Sequence, residues 1–290
     1  HEFGHFFNLD HSQVNLLEAF DGNAANDDVI PTMFPFLVNG AEAASLALDD
    51  VASVSALYPA PGFAAATGSI HGRILRANGE PFQGAYVVAR RVGDPRLTAV
   101  GAASGARFVP ANEGGPPPAS LVGAYDIDGL PPGAYTIEVE PIDPRFTGGS
   151  SVGPLDPPAA LPGVRERWNG ADEAATNPPD DPDAAEPVTV TGGSVVDAID
   201  IRLNEPVATN DACAAAIAVP SIPFADTQSA SAATTAADDP AQSCSTNGAN
   251  ANAASVWYVF TAPATGRFVI ETGDSDYDTV VSASSGTCGA

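Results

Sequence analysis

From Gly68 onward the chain reads in short alternating apolar and polar runs. GSIHGRIL, AYVVARRV, GAYDIDGL, AYTIEVEPI, PVTVT and VVDAIDIRL are separated by Gly and Pro turns. Short strands so spaced predict a compact antiparallel sandwich over residues 68–204. Residues 110–120 and 170–187 interrupt it as long loops, the second acidic and Pro-rich. The first 60 residues follow another pattern. Residues 1–8 read as a helix end, and 9–40 as irregular chain with turn signals at Asp21-Gly22 and Asn39-Gly40. Across 42–57, Leu46, Val51, Val54 and Leu57 fall on one helical face. Ser45 is placed to cap that helix, with Asp49 and Asp50 near its positive end, and Pro59, Pro61 and Gly62 stop it.

Residues 61–67 form a linker, and 205–209 mark a second boundary. Beyond Asn210, Ala/Ser/Thr-rich segments lead to SVWYVFTA, GRFVIET and DTVVSAS, which read as strands. The predicted fold class is therefore multidomain and mainly β: a helical segment over 1–60, then two antiparallel β-sandwich modules at 68–204 and 210–290, the last incomplete. Both ends read as cut, with no initiator Met and a stop directly after Cys288.

Composition narrows the partners. At 290 residues with 44% apolar content the chain has material for about two domains. No run approaches the ~20 apolar residues of a membrane span. Against 36 acidic residues stand only 11 basic ones, all Arg, for a net charge of −25. Such a surface repels phosphate backbones and anionic lipids, which argues against nucleic acid or a membrane surface as partner. The three Cys are an odd number, which in a secreted chain leaves one thiol over.

The candidate chemistry lies in HEFGHFFNLDHS. His1 and His5 are four apart, so both imidazoles lie on one helical face, one turn apart, spaced to hold one Zn²⁺. Glu2 is placed to reach a water rather than the ion, as a general base that later hands its proton to a leaving amine. Asn8 stands where the helix must end, and its short side chain tolerates the left-handed conformation. His11 follows the turn as third ligand, so that three of the chain's four His fall within eleven residues. Met33, the only Met, sits in PTMFPF, as a tight turn beneath a metal requires. The opposing readings are a pair of surface histidines on a helix and a core-filling Met. A third alternative, copper chelation by an N-terminal His, explains neither Glu2 nor the spacing of His5 and His11.

These residues resemble the metzincin zinc endopeptidases, most nearly the matrixin-like bacterial enzymes, whose pattern is HExxHxxGxxH followed by a Met-turn. The resemblance covers residues 1–60. It implies His1, His5 and His11 as zinc ligands, Glu2 as catalytic base and Met33 as the Met-turn residue. Ser12 fits the family's His-Ser pair, and ALDDVASVSALYP its last helix, in which Asp49 and Asp50 would be structural. Asn8 stands where the family has Gly. The family's upper half, with the edge strand that binds substrate, would precede His1. A two-turn helix is too short to be stable alone, so the expectation is that this chain by itself binds zinc weakly and cleaves little.

Residues 68–204 resemble carboxypeptidase regulatory-like (transthyretin-like) modules. GSIHGRIL, Gly84–Ala89 and GAYDIDGLPPGAYTIEVEP carry the resemblance. Leu130-Pro131-Pro132-Gly133 would turn between two strands, and Tyr125, Ile127, Tyr135, Ile137 and Val139 would alternate inward. His71 reads as a lone structural histidine. Residues 210–290 are similar to pre-peptidase C-terminal domains, through NDAC, SVWYVFTAPATGRFVIET, SDYDTVVS and GTC. That resemblance carries a Cys213–Cys244 disulfide, with Cys288 left over, and Trp257 and Tyr258 opening a core strand. Asp274, Asp276 and Asp278 form a run able to bind Ca²⁺ but lacking the later ligands of a calcium loop, so a solvated turn is favoured. Disulfides and composition fit a secreted or cell-surface setting. The functional expectation is a secreted zinc endopeptidase acting on protein or peptide substrates. The alternative from another class is a non-catalytic adhesion protein with a vestigial protease segment.

Overall fold

A computed structural model describes residues 1–38, 40, 45–105, 119–173, 180–205, 208–228, 233, 255–272 and 279–286. Among these residues the fold is mainly β, with several sheets and four short helices: α1 (Glu2–Phe6), α2 (Leu16–Ala19), α3 (Leu48–Leu57) and α4 (Phe63–Ala66). The chain divides into two compact units, His1–Asn204 and Glu205–Ala290.

In the first unit, strand β1 (Gly68–Leu75) runs antiparallel to β4 (Ala124–Leu130) and parallel to β8 (Val195–Val196) and β9 (Ile201–Arg202). A five-stranded antiparallel sheet is ordered β3 (Ala99–Ala103), β2 (Ala85–Arg91), β5 (Gly133–Pro141), β6 (Glu166–Arg167), with β7 (Val188–Val190) also on β5. Five of the expected runs appear as single strands, while VVDAIDIRL is split into β8 and β9; β3 and β6 were not anticipated. Gly133 does follow the Leu130-Pro131-Pro132 turn, but β4 and β5 belong to different sheets.

The two sheets share one core. Ile70, Ile74, Tyr125 and Ile127 from the first meet Val87, Ala89, Tyr135, Ile137 and Val139 from the second. The inward alternation read from β4 and β5 is present, since Tyr125, Ile127, Tyr135, Ile137 and Val139 are all buried. Strand β2 is different: Ala85 to Ala89 are buried without a break. Val87 and Ala89 face the inter-sheet core, while Tyr86 and Val88 join a second cluster with Val14, Ile30, Phe34, Phe146 and Val152. The outer face of this sheet is thus covered by the first 40 residues. Gly101 on β3 permits the approach, for a Cβ there would come within 2.7 Å of the Val14 side chain. Each large apolar side chain buried in this way contributes about 1.5–3 kcal/mol.

Polar groups lock the same junction. Gln13 is fully buried and donates to the Pro141 carbonyl at 3.0 Å and to Glu140 at 3.3 Å, while its Oε1 accepts from the Asp143 N–H at 3.1 Å. Asn15 donates to the Val29 and Arg96 carbonyls and accepts from Arg90 at 2.7 Å. Glu140 is buried, and desolvation pushes its carboxyl up while Arg165 and Arg90 pull it down.

Several expectations for helices and linkers are corrected. Helix α3 begins at Leu48, not at Ser45; the residue before it is Ala47, and Asp50 caps its N–H. The face of α3 turned inward carries Asp49, Asp50 and Ala52, whereas Leu46, Val51 and Leu57 are exposed. The carboxylates go inside because backbone N–H groups await them there. Residues expected as linker include α4, opened by Gly62.

In the second unit, β10 (Ile217–Val219) pairs in parallel with β11 (Tyr258–Phe260). Tyr258, Val259 and Phe260 are all exposed, so the expected core strand is corrected to a surface one. The run at 266–272 and the described part of the second, 279–284, are not strands. Strand backbone needs a partner for its N–H and C=O groups, and none pairs with these runs among the described residues.

Candidate metal centre

Helix α1 ends in a Schellman arrangement. The Asn8 N–H donates to the His5 carbonyl at 2.9 Å and the Leu9 N–H to the Gly4 carbonyl at 3.0 Å, with Asn8 at φ +65°. The left-handed tolerance read from the Asn8 side chain is therefore used. The turn reverses the chain and brings His11 back toward α1.

The three histidines converge. His5 Nε2 and His11 Nε2 lie 3.2 Å and 3.3 Å from His1 Nε2, and the three ring centroids are 4.7–5.2 Å apart. Each opposite nitrogen, Nδ1, meets a backbone carbonyl: His1 on Thr32 at 2.8 Å, His5 on Leu9 at 3.0 Å, His11 on Ser151 at 2.9 Å. A carbonyl only accepts, so each Nδ1 carries the proton. In a neutral ring Nε2 is then a bare lone pair. Three bare lone pairs pointed at one another repel unless a cation sits between them. A tetrahedral ion with Zn–N bonds of about 2.0–2.1 Å separates its nitrogens by about 3.3–3.4 Å, close to the spacings from His1. The donor set thus fits zinc, and among the described residues it is the one group of His, Cys, Asp or Glu side chains close enough to hold a metal.

Met33 lies under this cluster. Its side chain is buried, and a Cβ added at Gly4 would fall 2.2 Å from Met33 Sδ, so the thioether packs directly on the α1 backbone. The turn carrying it is closed by Phe34 N–H on the Pro31 carbonyl at 3.0 Å. Asp50 holds it from below. Its carboxylate, 3% exposed, accepts from Thr32 N–H at 2.9 Å, Met33 N–H at 3.0 Å and Ala47 N–H at 2.9 Å. One side chain therefore fixes the start of α3 and the turn whose Thr32 carbonyl orients His1.

Glu2 is exposed in the first turn of α1, beside His1. Ser12 is buried; its N–H donates to the Met33 carbonyl at 3.0 Å, and its hydroxyl bonds Tyr86 at 2.9 Å and Asp49. Asp49 also accepts from Gly101 N–H at 2.8 Å. Burial pushes the Asp49 carboxyl up to about 7, against the pull of Ser12 and Gly101, and the neighbouring Asp50 adds to the rise.

Sequence reasoning singled out the three His, Glu2 and Met33. It missed Gly4, the turn-holding role of Asp50 and the Ser151 carbonyl. The Gly between the two His was the available sign for the first, and an acid three residues after a helix cap for the second; the third left none. His71 is not alone: Asp197, Asp128 and Asp126 lie 3.3–3.8 Å from its ring nitrogens. The expected Cys213–Cys244 pairing falls partly outside the described residues, since Cys244 and Cys288 are not among them, nor are Asp274, Asp276 and Asp278. No family model matches the chain, and no curated protein matches it.

Proposed function

We propose that this chain carries the zinc-holding part of a secreted metzincin-type endopeptidase. The observation that carries the reading is the convergence of three imidazole Nε2 atoms, each aimed by a carbonyl on its Nδ1. His1, His5 and His11 would hold Zn²⁺. When bound, zinc supplies Lewis-acid polarisation and brings a water pKa down to about 7. The protein's own groups do the rest. Glu2 takes a proton on its carboxylate and returns it to the leaving amine of a protein or peptide substrate. Met33 and the Asp50-held turn keep the floor beneath the rings rigid. The two sheets of residues 68–204 are read as a carboxypeptidase regulatory-like sandwich and residues 210–290 as a pre-peptidase C-terminal-like one, both accessory.

The test is a zinc titration of the chain with paired variants. One zinc per chain is expected, lost in His5→Ala and His11→Ala and kept in Glu2→Ala. On a casein-type substrate little or no hydrolysis is expected from this chain by itself, and any residual turnover should be lost in Glu2→Ala. A parent chain that takes up no zinc overturns the reading. Zinc uptake with equal, measurable hydrolysis in the parent chain and Glu2→Ala removes Glu2 from its role.

A further inference from the structure

Two of the three rings are aimed by carbonyls close at hand, Thr32 and Leu9. The third is aimed from the far side of the junction. His11 Nδ1 meets the Ser151 carbonyl at 2.9 Å across a separation of 140 residues. We propose that the Ser151 carbonyl is a positioning group of the metal centre: it sets the tautomer and direction of His11, so that the two-sheet body completes the ligand set. The inference rests on the zinc reading for its consequence, although the ring geometry it describes stands without an ion.

Ser151 is built to hold still. It closes a 3₁₀ turn at Gly148–Ser150, with Ser150 N–H on the Thr147 carbonyl and Ser151 N–H on the Gly148 carbonyl, both at 3.1 Å. Asp156 pins the start of that turn through the Gly148 N–H at 2.9 Å. On either side Phe146 and Val152 are fully buried in the cluster that also holds Val14, Ile30 and Phe34. That cluster is where the first 40 residues meet β2. The other side of the contact is equally fixed, since Ser12, next to His11, is bonded to Met33 and Tyr86. The carbonyl and the ring therefore face each other across one packed core. Slackening that core at Val152 lets the carbonyl withdraw while leaving His1 and His5 with their partners.

The consequence is a coupling. An acceptor on the distal nitrogen fixes ring orientation and raises ligand basicity, and its loss typically weakens metal binding 10–100-fold. Zinc bound to His11 would in turn hold the 148–152 segment against the core, because a ligand that binds only the folded form stabilises it.

The test has two arms on the whole chain. In the first, Val152 is replaced by its α-hydroxy acid. Every side chain is kept, while the Ser151 carbonyl becomes an ester, a poorer acceptor. Imidazole ¹⁵N shifts in metal-free protein should show His1, His5 and His11 all protonated at Nδ1 in the parent chain, with His11 alone becoming a mixture of tautomers in the ester. In the second arm, zinc affinity is measured by chelator competition for Val152→Ala and for Val139→Ala. Val139 is a control of equal burial in the inter-sheet core. Val152→Ala should weaken zinc about tenfold or more, and Val139→Ala should leave it unchanged at equal loss of stability. An unchanged His11 tautomer in the ester, or equal zinc affinities in the two alanine variants, overturns the inference. A parent chain with the expected tautomers that binds no zinc leaves the positioning intact and instead sinks the zinc reading.

Discussion

Replacing Asp50 by Ala removes the side chain that bonds the turn at Thr32–Met33 to the start of helix α3. Three backbone donors lose their acceptor at once. The Met33 N–H is buried, and an orphaned buried donor costs about 1–3 kcal/mol. The Thr32 and Ala47 N–H groups are half-buried and regain water in part, so about 0.5–1.5 kcal/mol each is the expected loss. Against this, Ala removes the like charge beside Asp49 and relieves part of its burial cost. The net expectation is about 3–4 kcal/mol, and Asn, which keeps one acceptor oxygen, should fall between Ala and Asp. Urea unfolding followed by tryptophan fluorescence measures this. The Thr32 carbonyl also orients His1, so Asp50→Ala should weaken zinc about tenfold at temperatures where the chain stays folded. An Asp50→Ala chain within about 1 kcal/mol of the parent in stability, with unchanged zinc affinity, refutes the reasoning.

Other outcomes follow from the same contacts. Gly4→Ala should gain about 0.5–1 kcal/mol of helix propensity but lose about 1–3 kcal/mol to overpacking on Met33; thermal melts of Gly4→Ala, Met33→Ala and the double variant should show the pair partly cancelling. Asp49 bears on pH. Its folded pKa, about 7, lies above the ordinary value of 3.8, so the folded state keeps a proton that the unfolded state releases, and stability falls as pH rises from about 4 to about 7. That drop is on the order of 4 kcal/mol. Glu173, also raised to about 7 by burial, acts in the same direction. Denaturant titrations at pH 5 and pH 8 should show the parent less stable at pH 8, and Asp49→Asn should flatten the difference. Finally, Phe34→Ala should cost about 3–5 kcal/mol and lower the melting of the two-sheet body with it, because Phe34 shares a core with Tyr86 and Val88; a separate early transition for the first 60 residues would contradict that.

How much of this was legible is clearest at β4 and β5, where Tyr125, Ile127, Tyr135, Ile137 and Val139 alternate with polar residues and are buried as alternation demands. The turn at Asn8 was legible too, because a short polar residue at a helix end has few other uses. Strand β2 shows the limit. AYVVA is an unbroken apolar run, which says that both faces are covered but not by what. The cover comes from Val14, Ile30 and Phe34, in a stretch with no periodicity of its own. Helix α3 misled for a related reason. Its apolar spacing marked one face, yet hydrogen-bonding demand from the turn at residues 32–33 and from Gly101 drew Asp49 and Asp50 inward instead. At the site, side chains announced themselves by type and spacing, while the carbonyls that aim them belong to the backbone and leave no mark in residue identity. GRFVIET and the described part of DTVVSAS show the converse: a β-rich composition makes no strand where, among the described residues, nothing pairs with it.

The account turns on whether three imidazoles gather around one ion. X-ray absorption at the zinc edge on the zinc-loaded chain reads this directly. The account predicts one zinc per chain with three imidazole nitrogens at about 2.0–2.1 Å, falling to two in His11→Ala. A zinc shell of oxygen ligands without imidazole scattering, measured with zinc held at saturation, would contradict it.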